Sequence, residues 1–91
     1  MTISLAGQLI CETEQEAERV RLHLAEHLRL TRAEAGCLHF SITPTVNPLI
    51  WEVREIFRDR AAFNAHQART AGSFWARATV GIRRDYRIMG G

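Results

Sequence analysis

Residues 49–75 read LIWEVREIFRDRAAFNAHQARTAGSFW, and this stretch decides the fold. Its first nine residues alternate. Trp51, Val53, Glu55 and Phe57 share one face, and Ile50, Glu52, Arg54 and Ile56 share the other. Period two of this kind marks a half-buried strand. Glu55 thereby sits among apolar neighbours, where a carboxylate needs a partner or holds its proton more tightly. Asp59 then caps a helix running from residue 60 to about 69, in which Ala62, Phe63, His66 and Arg69 or Thr70 recur at three- and four-residue steps. Gly72 breaks it, and residues 73–78 form a short helical turn bearing Phe74 and Trp75. Five of the seven aromatic residues fall in this stretch, so pocket chemistry is expected to use it.

Upstream, residues 3–11 are uncharged and rich in Ile and Leu, a strand with Gly7 as a bulge or a point of close backbone approach. Thr13 and Glu16 have capping-box spacing, and Glu14, Glu16 and Glu18 put negative charge near the positive end of a helix. Ala17, Val20, Leu24, Leu28, Thr31 and Ala35 form its buried stripe. His23 and His27, one turn apart, lack a third metal ligand and read as a solvated face. Gly36 ends that helix. Residues 37–43 alternate as a second strand with the Leu38 face inward, a turn at Asn47-Pro48 leads into the strand of residues 49–57, and residues 79–89 form the last strand.

The order β-α-β-β-α-β is the ferredoxin-like, split-βαβ pattern of an α+β protein, with an antiparallel sheet and both helices on one face. Residues 1–91 are expected to be one domain. The first strand is apolar on its second face too, through Ala6 and Ile10, and a bare apolar sheet face predicts an interface. The expectation is a homodimer with its sheets packed face to face.

The wider composition excludes several classes. Twelve basic and ten acidic residues give a net charge of +2 with the signs interspersed, which argues against nucleic acid. No apolar run approaches the roughly 20 residues of a membrane span, and no basic segment leads into an apolar core as in a signal peptide. Cys11 and Cys37 fit neither a CxxC redox motif nor a zinc site and read as buried, reduced thiols of a cytoplasmic protein.

Two segments carry a resemblance. Glu34-Ala35-Gly36-Cys37-Leu38-His39-Phe40 resembles the "EGC-x-x-aromatic" junction of the antibiotic biosynthesis monooxygenase (ABM) domain family. Glu55-Ile56-Phe57-Arg58-Asp59 followed by Ala62-Phe63-Asn64-Ala65-His66 is similar to that family's "E-x-W-x-(S/D)…A-(L/F)-x-x-H" run, and the order of elements agrees over nearly the whole chain. The resemblance implies a dimeric α+β barrel with a pocket between sheet and helices. It implies, too, oxidation of a small aromatic quinol, phenol or anthrone by O2 without metal or flavin cofactor. Departures are visible. Ala71 stands where many members have a second His, and Phe57 replaces the usual Trp. Ser4 and Gln8 occupy the first strand where haem-degrading members have Asn, which disfavours haem degradation.

Cofactor-free oxygenation needs a base, apolar walls and a donor for the developing oxyanion. His66 is the expected base and Glu55 the carboxylate that orients it. Trp51, Phe63, Phe74 and Trp75 are expected to hold an aromatic substrate, and Arg77 or Arg83 to stabilise a phenolate. Two other readings stay open. One is a non-oxygenating small-molecule binding or isomerase domain. The other is a structural dimer module in which His66 and Glu55 merely tie helix to strand and the aromatic side chains fill the interior.

Overall fold

The computed structural model describes residues 1–90. The elements run β1 (Ile3–Ile10), α1 (Glu14–Arg32), β2 (Cys37–Pro44), β3 (Ile50–Phe57), α2 (Arg60–Ala71), α3 (Phe74–Ala78) and β4 (Arg83–Gly90). All strand pairs are antiparallel, in the order β2-β3-β1-β4. This is the ferredoxin-like α+β arrangement that the alternating patterns predict, with α3 as a short addition. Among the described residues, no helix is long and apolar enough to cross a membrane.

Side-chain oxygens cap each helix. Thr13 accepts from the Glu16 N–H at 3.2 Å, Asp59 from Ala62 at 2.8 Å and Ser73 from Ala76 at 3.2 Å. Each satisfies a donor that a helix start leaves free. The Glu16 carboxylate reaches back to the Glu12 N–H at 2.7 Å and closes the first turn of α1.

The core lies between one sheet face and the helices. Ile3, Leu5 and Leu9 of β1, Phe40 and Ile42 of β2, and Trp51, Val53 and Phe57 of β3 meet Ala17 and Val20 of α1, Phe63 of α2 and Trp75 of α3. Fully burying a side chain of this size stabilises by about 1.5–3 kcal/mol. Gly36 lets α2 approach the α1–β2 turn, since a Cβ there would stand 2.2 Å from the Ala62 Cβ. At Gly7 a Cβ would stand 2.1 Å from the Asp85 carbonyl oxygen, so Gly7 marks a close approach of β4 to β1.

Several local expectations are corrected. Leu38 does not face inward. A bulge between Cys37 and His39 leaves it unpaired and 59% exposed, and the inward residues are Phe40 and Ile42. The extra residue shifts the alternation by one, which a strict period-two reading cannot register. Helix α1 stops at Arg32 with Ala33 as its cap, before Gly36, and residues 34–36 form a turn in which the Cys37 N–H bonds the Glu34 carbonyl. β4 starts at Arg83 rather than Thr79, because Gly81 takes φ +84° in a turn that puts Thr79 and Ile82 in the core and Val80 in solvent.

The uncovered face of the sheet is mixed, with Ile10 and Ile50 at one end, Ile56 and Met89 at the other, and polar rows between them. Strand register sets Ser41, Arg54, Ala6 and Arg87 in one row and Thr43, Glu52, Gln8 and Asp85 in the next. Ala6 is therefore flanked by Arg54 and Arg87, whereas Ile10 lies between Ile50 and Arg83. A one-strand reading misses those neighbours because they come from residues forty or more positions away.

Candidate active site

His66 is carried on the buried face of α2 by the same three- and four-residue spacing that buries Phe63. It is 2% exposed and packs against Phe57, with ring centroids 4.8 Å apart, and Phe40 at 5.5 Å. Nδ1 is 2.8 Å from Glu34 Oε1. A carboxylate can only accept, so Nδ1 carries the hydrogen and Nε2 is left with a lone pair in the neutral ring. The other Glu34 oxygen accepts from Arg69 Nε at 2.8 Å, and Arg69 also donates to Thr31 Oγ1 at 3.0 Å. The Glu34 carboxylate thus ties the turn after α1 to α2, and Arg69 ties α2 to α1.

On the far side of the ring, Nε2 lies 3.8 Å from Glu55 Oε1. That is an ion-pair distance and too long for a hydrogen bond. Oε1 has no hydrogen-bond partner among the described residues, and Glu55 is 7% exposed. Burial, reinforced by the negative charge of Glu34, pushes its carboxyl up to about 7. Burial also lowers the His66 pKa, while the Glu34 hydrogen bond works the other way. A carboxyl raised to about 7 thus faces the bare nitrogen of a neutral imidazole.

A second histidine belongs to this cluster. His27 is buried, not solvated as its spacing with His23 suggests, because helix α3 folds over that part of α1. Its ring stacks on Trp75 with centroids 4.5 Å apart and planes within 2°, and lies 6.2 Å from His66. Burial first, then the charges of His66, Arg69 and Arg84, lower its pKa to about 3, so it is neutral at ordinary pH. Its buried Nδ1 has no partner among the described residues.

His27 and Trp75 line a groove of about 600 Å³ between α1, the end of α2 and α3, together with Leu30, Phe74, Arg69 and Arg77. This volume suits a ligand of two or three fused rings. The groove runs between helices, whereas the resemblance implied a pocket between sheet and helices. His66 stands one ring behind its wall.

The expected site residues therefore separate into groups. His66 and Glu55 are brought together. Trp75, Phe74 and Arg77 line the groove, with Phe74 74% exposed and the Arg77 guanidinium carbon 4.5 Å from its ring centroid. Phe63 is buried 5.8 Å from the Phe57 ring, and Trp51 is buried on β3 with its indole N–H unpartnered among the described residues. Arg83 lies opposite Ile10 on the uncovered sheet face, away from the groove. Sequence reasoning assigned no role to Glu34 or His27. Glu34 opens the quoted Glu34-Ala35-Gly36-Cys37 junction, which was its available signal. His27 carried none, because the ring that buries it comes from α3.

No functionally curated protein is similar enough to the chain to register as a match. Among solved structures, one described as a putative antibiotic biosynthesis monooxygenase from Nitrosomonas europaea superposes with a TM-score of 0.82 at 18% identity. The alignment covers 100% of this chain and 98% of that one. SnoaB, described as a cofactor-independent oxygenase from Streptomyces nogalater, superposes with a TM-score of 0.80 at 9% identity, covering 99% and 92%. At these identities the likeness establishes the fold. The sequence profile of the family described as "Antibiotic biosynthesis monooxygenase" matches residues 11–73. That span takes in His27, Glu34, Glu55 and His66 and ends just before Phe74 and Trp75. It covers well over half of the chain, which therefore belongs to the antibiotic biosynthesis monooxygenase family and is, at the level of that family, a monooxygenase-type enzyme.

Proposed function

We propose that this protein is a cofactor-independent monooxygenase that oxidises a small electron-rich aromatic, a quinol, phenol or anthrone, with O2. The carrying observation is the line Glu34–His66–Glu55, a neutral imidazole oriented by one carboxylate and facing a second that titrates near neutrality. His66 is the base and Glu55 its proton partner. Deprotonation makes the substrate electron-rich enough to reduce O2. Carbon–oxygen bond formation and O–O cleavage then release the second oxygen as water, with the substrate supplying all four electrons, so that a phenol becomes a quinone and a quinol a hydroxyquinone. For an anthrone the products are the quinone and water. Trp75, Phe74 and Leu30 supply the apolar wall, and His27, between the groove and His66, relays the substrate proton to the base. Residues 1–91 act as one domain. The free thiols Cys11 and Cys37 suit a reducing cytoplasm.

The uncovered sheet face supports a homodimer. The Arg54–Arg87 row lies beside the Glu52–Asp85 row. A two-fold rotation can set each row of one copy against the opposite row of its partner, as an isologous interface requires. Arg54→Glu is expected to shift the protein to monomer in light scattering. An unchanged mass would remove this face from the interface.

The test of activity is oxygen uptake by metal-stripped protein with a panel of quinols and anthrones, run beside His66→Gln. Uptake that requires the protein and falls at least about a hundredfold in a folded variant supports the reading. Aromatic binding without uptake would transfer the assignment to a non-oxygenating binding or isomerase domain.

A further inference from the structure

Among the described residues lining the groove, one positive charge is left without a carboxylate partner. Arg69 is occupied by Glu34 and Thr31. Glu26, on the opposite wall, is engaged by Arg29. Arg77 donates a single hydrogen bond to the Gly72 carbonyl at 3.2 Å, and among the described residues no carboxylate comes within ion-pair distance of it. Its guanidinium is held over the Phe74 ring. That contact fixes the head group beside an apolar wall and leaves most of its five N–H donors free.

We propose that the groove binds a planar aromatic monocarboxylate, its rings against Trp75, Phe74 and Leu30 and its carboxylate on Arg77. This rests on the groove being the substrate site of the proposed oxygenase. A guanidinium matches a carboxylate as a two-pronged fork, and stacking on Phe74 leaves that fork pre-set. One uncompensated charge suits a monoanion. A phosphate dianion would meet Glu26 across the groove, with no second free cation among the described residues to offset it. His27 adds a neutral, flat, buried surface through its stack on Trp75. The carboxylate serves as a handle that stays unchanged while the hydroxyl-bearing ring reacts. Among phenols and quinols, those with a ring carboxylate are then the preferred class.

The test compares 1-hydroxy-2-naphthoate with 1-naphthol by calorimetric titration of the full chain without oxygen. It uses wild type, Arg77→Gln and Arg77→Lys, with the Trp75 indole followed by NMR. The wild type is expected to bind the carboxylate about fivefold more tightly, the worth of one partly exposed ion pair. The preference should disappear in Arg77→Gln, be partly kept in Arg77→Lys and weaken at high salt. Equal affinity in wild type, a preference unchanged in Arg77→Gln, or no binding of either compound overturns the proposal. Oxygen uptake is measured separately. Selective binding without uptake retains this inference and removes the oxygenase, whereas uptake without selectivity does the reverse.

Discussion

His66 Nδ1 and Glu34 Oε1 stand 2.8 Å apart although 32 residues separate them. The contact links the turn after α1 to the buried face of α2 and sets which imidazole nitrogen is bare. Glu34→Gln keeps the shape but loses the charge assistance. The expected cost is about 2 kcal/mol in denaturant unfolding, the scale for a hydrogen bond to a charged group. Turnover should fall more than stability does, because Nε2 is no longer reliably the bare atom. Imidazole nitrogen shifts by NMR check this, and an unchanged tautomer in the variant would assign Glu34 a purely structural role.

His27 makes stability sensitive to acid. Its pKa is lowered from 6.5 to about 3 in the folded protein. A depressed histidine contributes stability that is fully present above the unfolded value and is lost as pH falls from 6.5 toward 3. Wild type should therefore lose stability relative to His27→Phe over that interval, by at most about 1.4 kcal/mol per pH unit. The phenyl ring keeps a flat surface against Trp75. Parallel thermal unfolding curves at each pH decide the matter, and a constant difference between the two proteins counts against it.

Glu55 works with the opposite sign. Its carboxyl is raised from 4.5 to about 7 by burial. The stabilisation of the protonated form is complete below 4.5 and lost as pH rises through 7. Glu55→Gln, which cannot ionise, should gain stability relative to wild type from pH 4.5 to 7 and hold a steady difference above. Turnover should fall in the same variant, because Glu55 is the proton partner of His66 in the proposed reaction. A pH-independent stability difference would mean that the carboxyl titrates normally.

Gly36 tests the packing that places His66. A methyl there would stand 2.2 Å from the Ala62 Cβ, so Gly36→Ala must push α2 away from the turn. Overpacking of this kind costs about 1–3 kcal/mol. Adding Ala62→Gly removes the collision, so the double variant should recover part of the loss despite the glycine penalty of about 1 kcal/mol within a helix. No recovery would place the strain elsewhere.

The sequence by itself determined the element order, the caps at Thr13 and Asp59, the alternation that turns Glu55 inward, and the helix spacing that buries His66. These are period and capping signals between near neighbours, with a cause local to each segment. Only the tertiary structure decided that Glu34 holds His66, that His27 is a buried partner of Trp75, that Leu38 is expelled by a bulge, and that charged rows cross the sheet's uncovered face. Each of these depends on residues brought together from distant positions, and a side chain's burial is set by what packs over it, not by its own spacing. The same reasoning separates Arg77 from Arg83. Both are arginines, six residues apart near the end of the chain. Short helix α3 carries the first to the groove wall, and the register of β4 against β1 carries the second to the opposite face of the sheet.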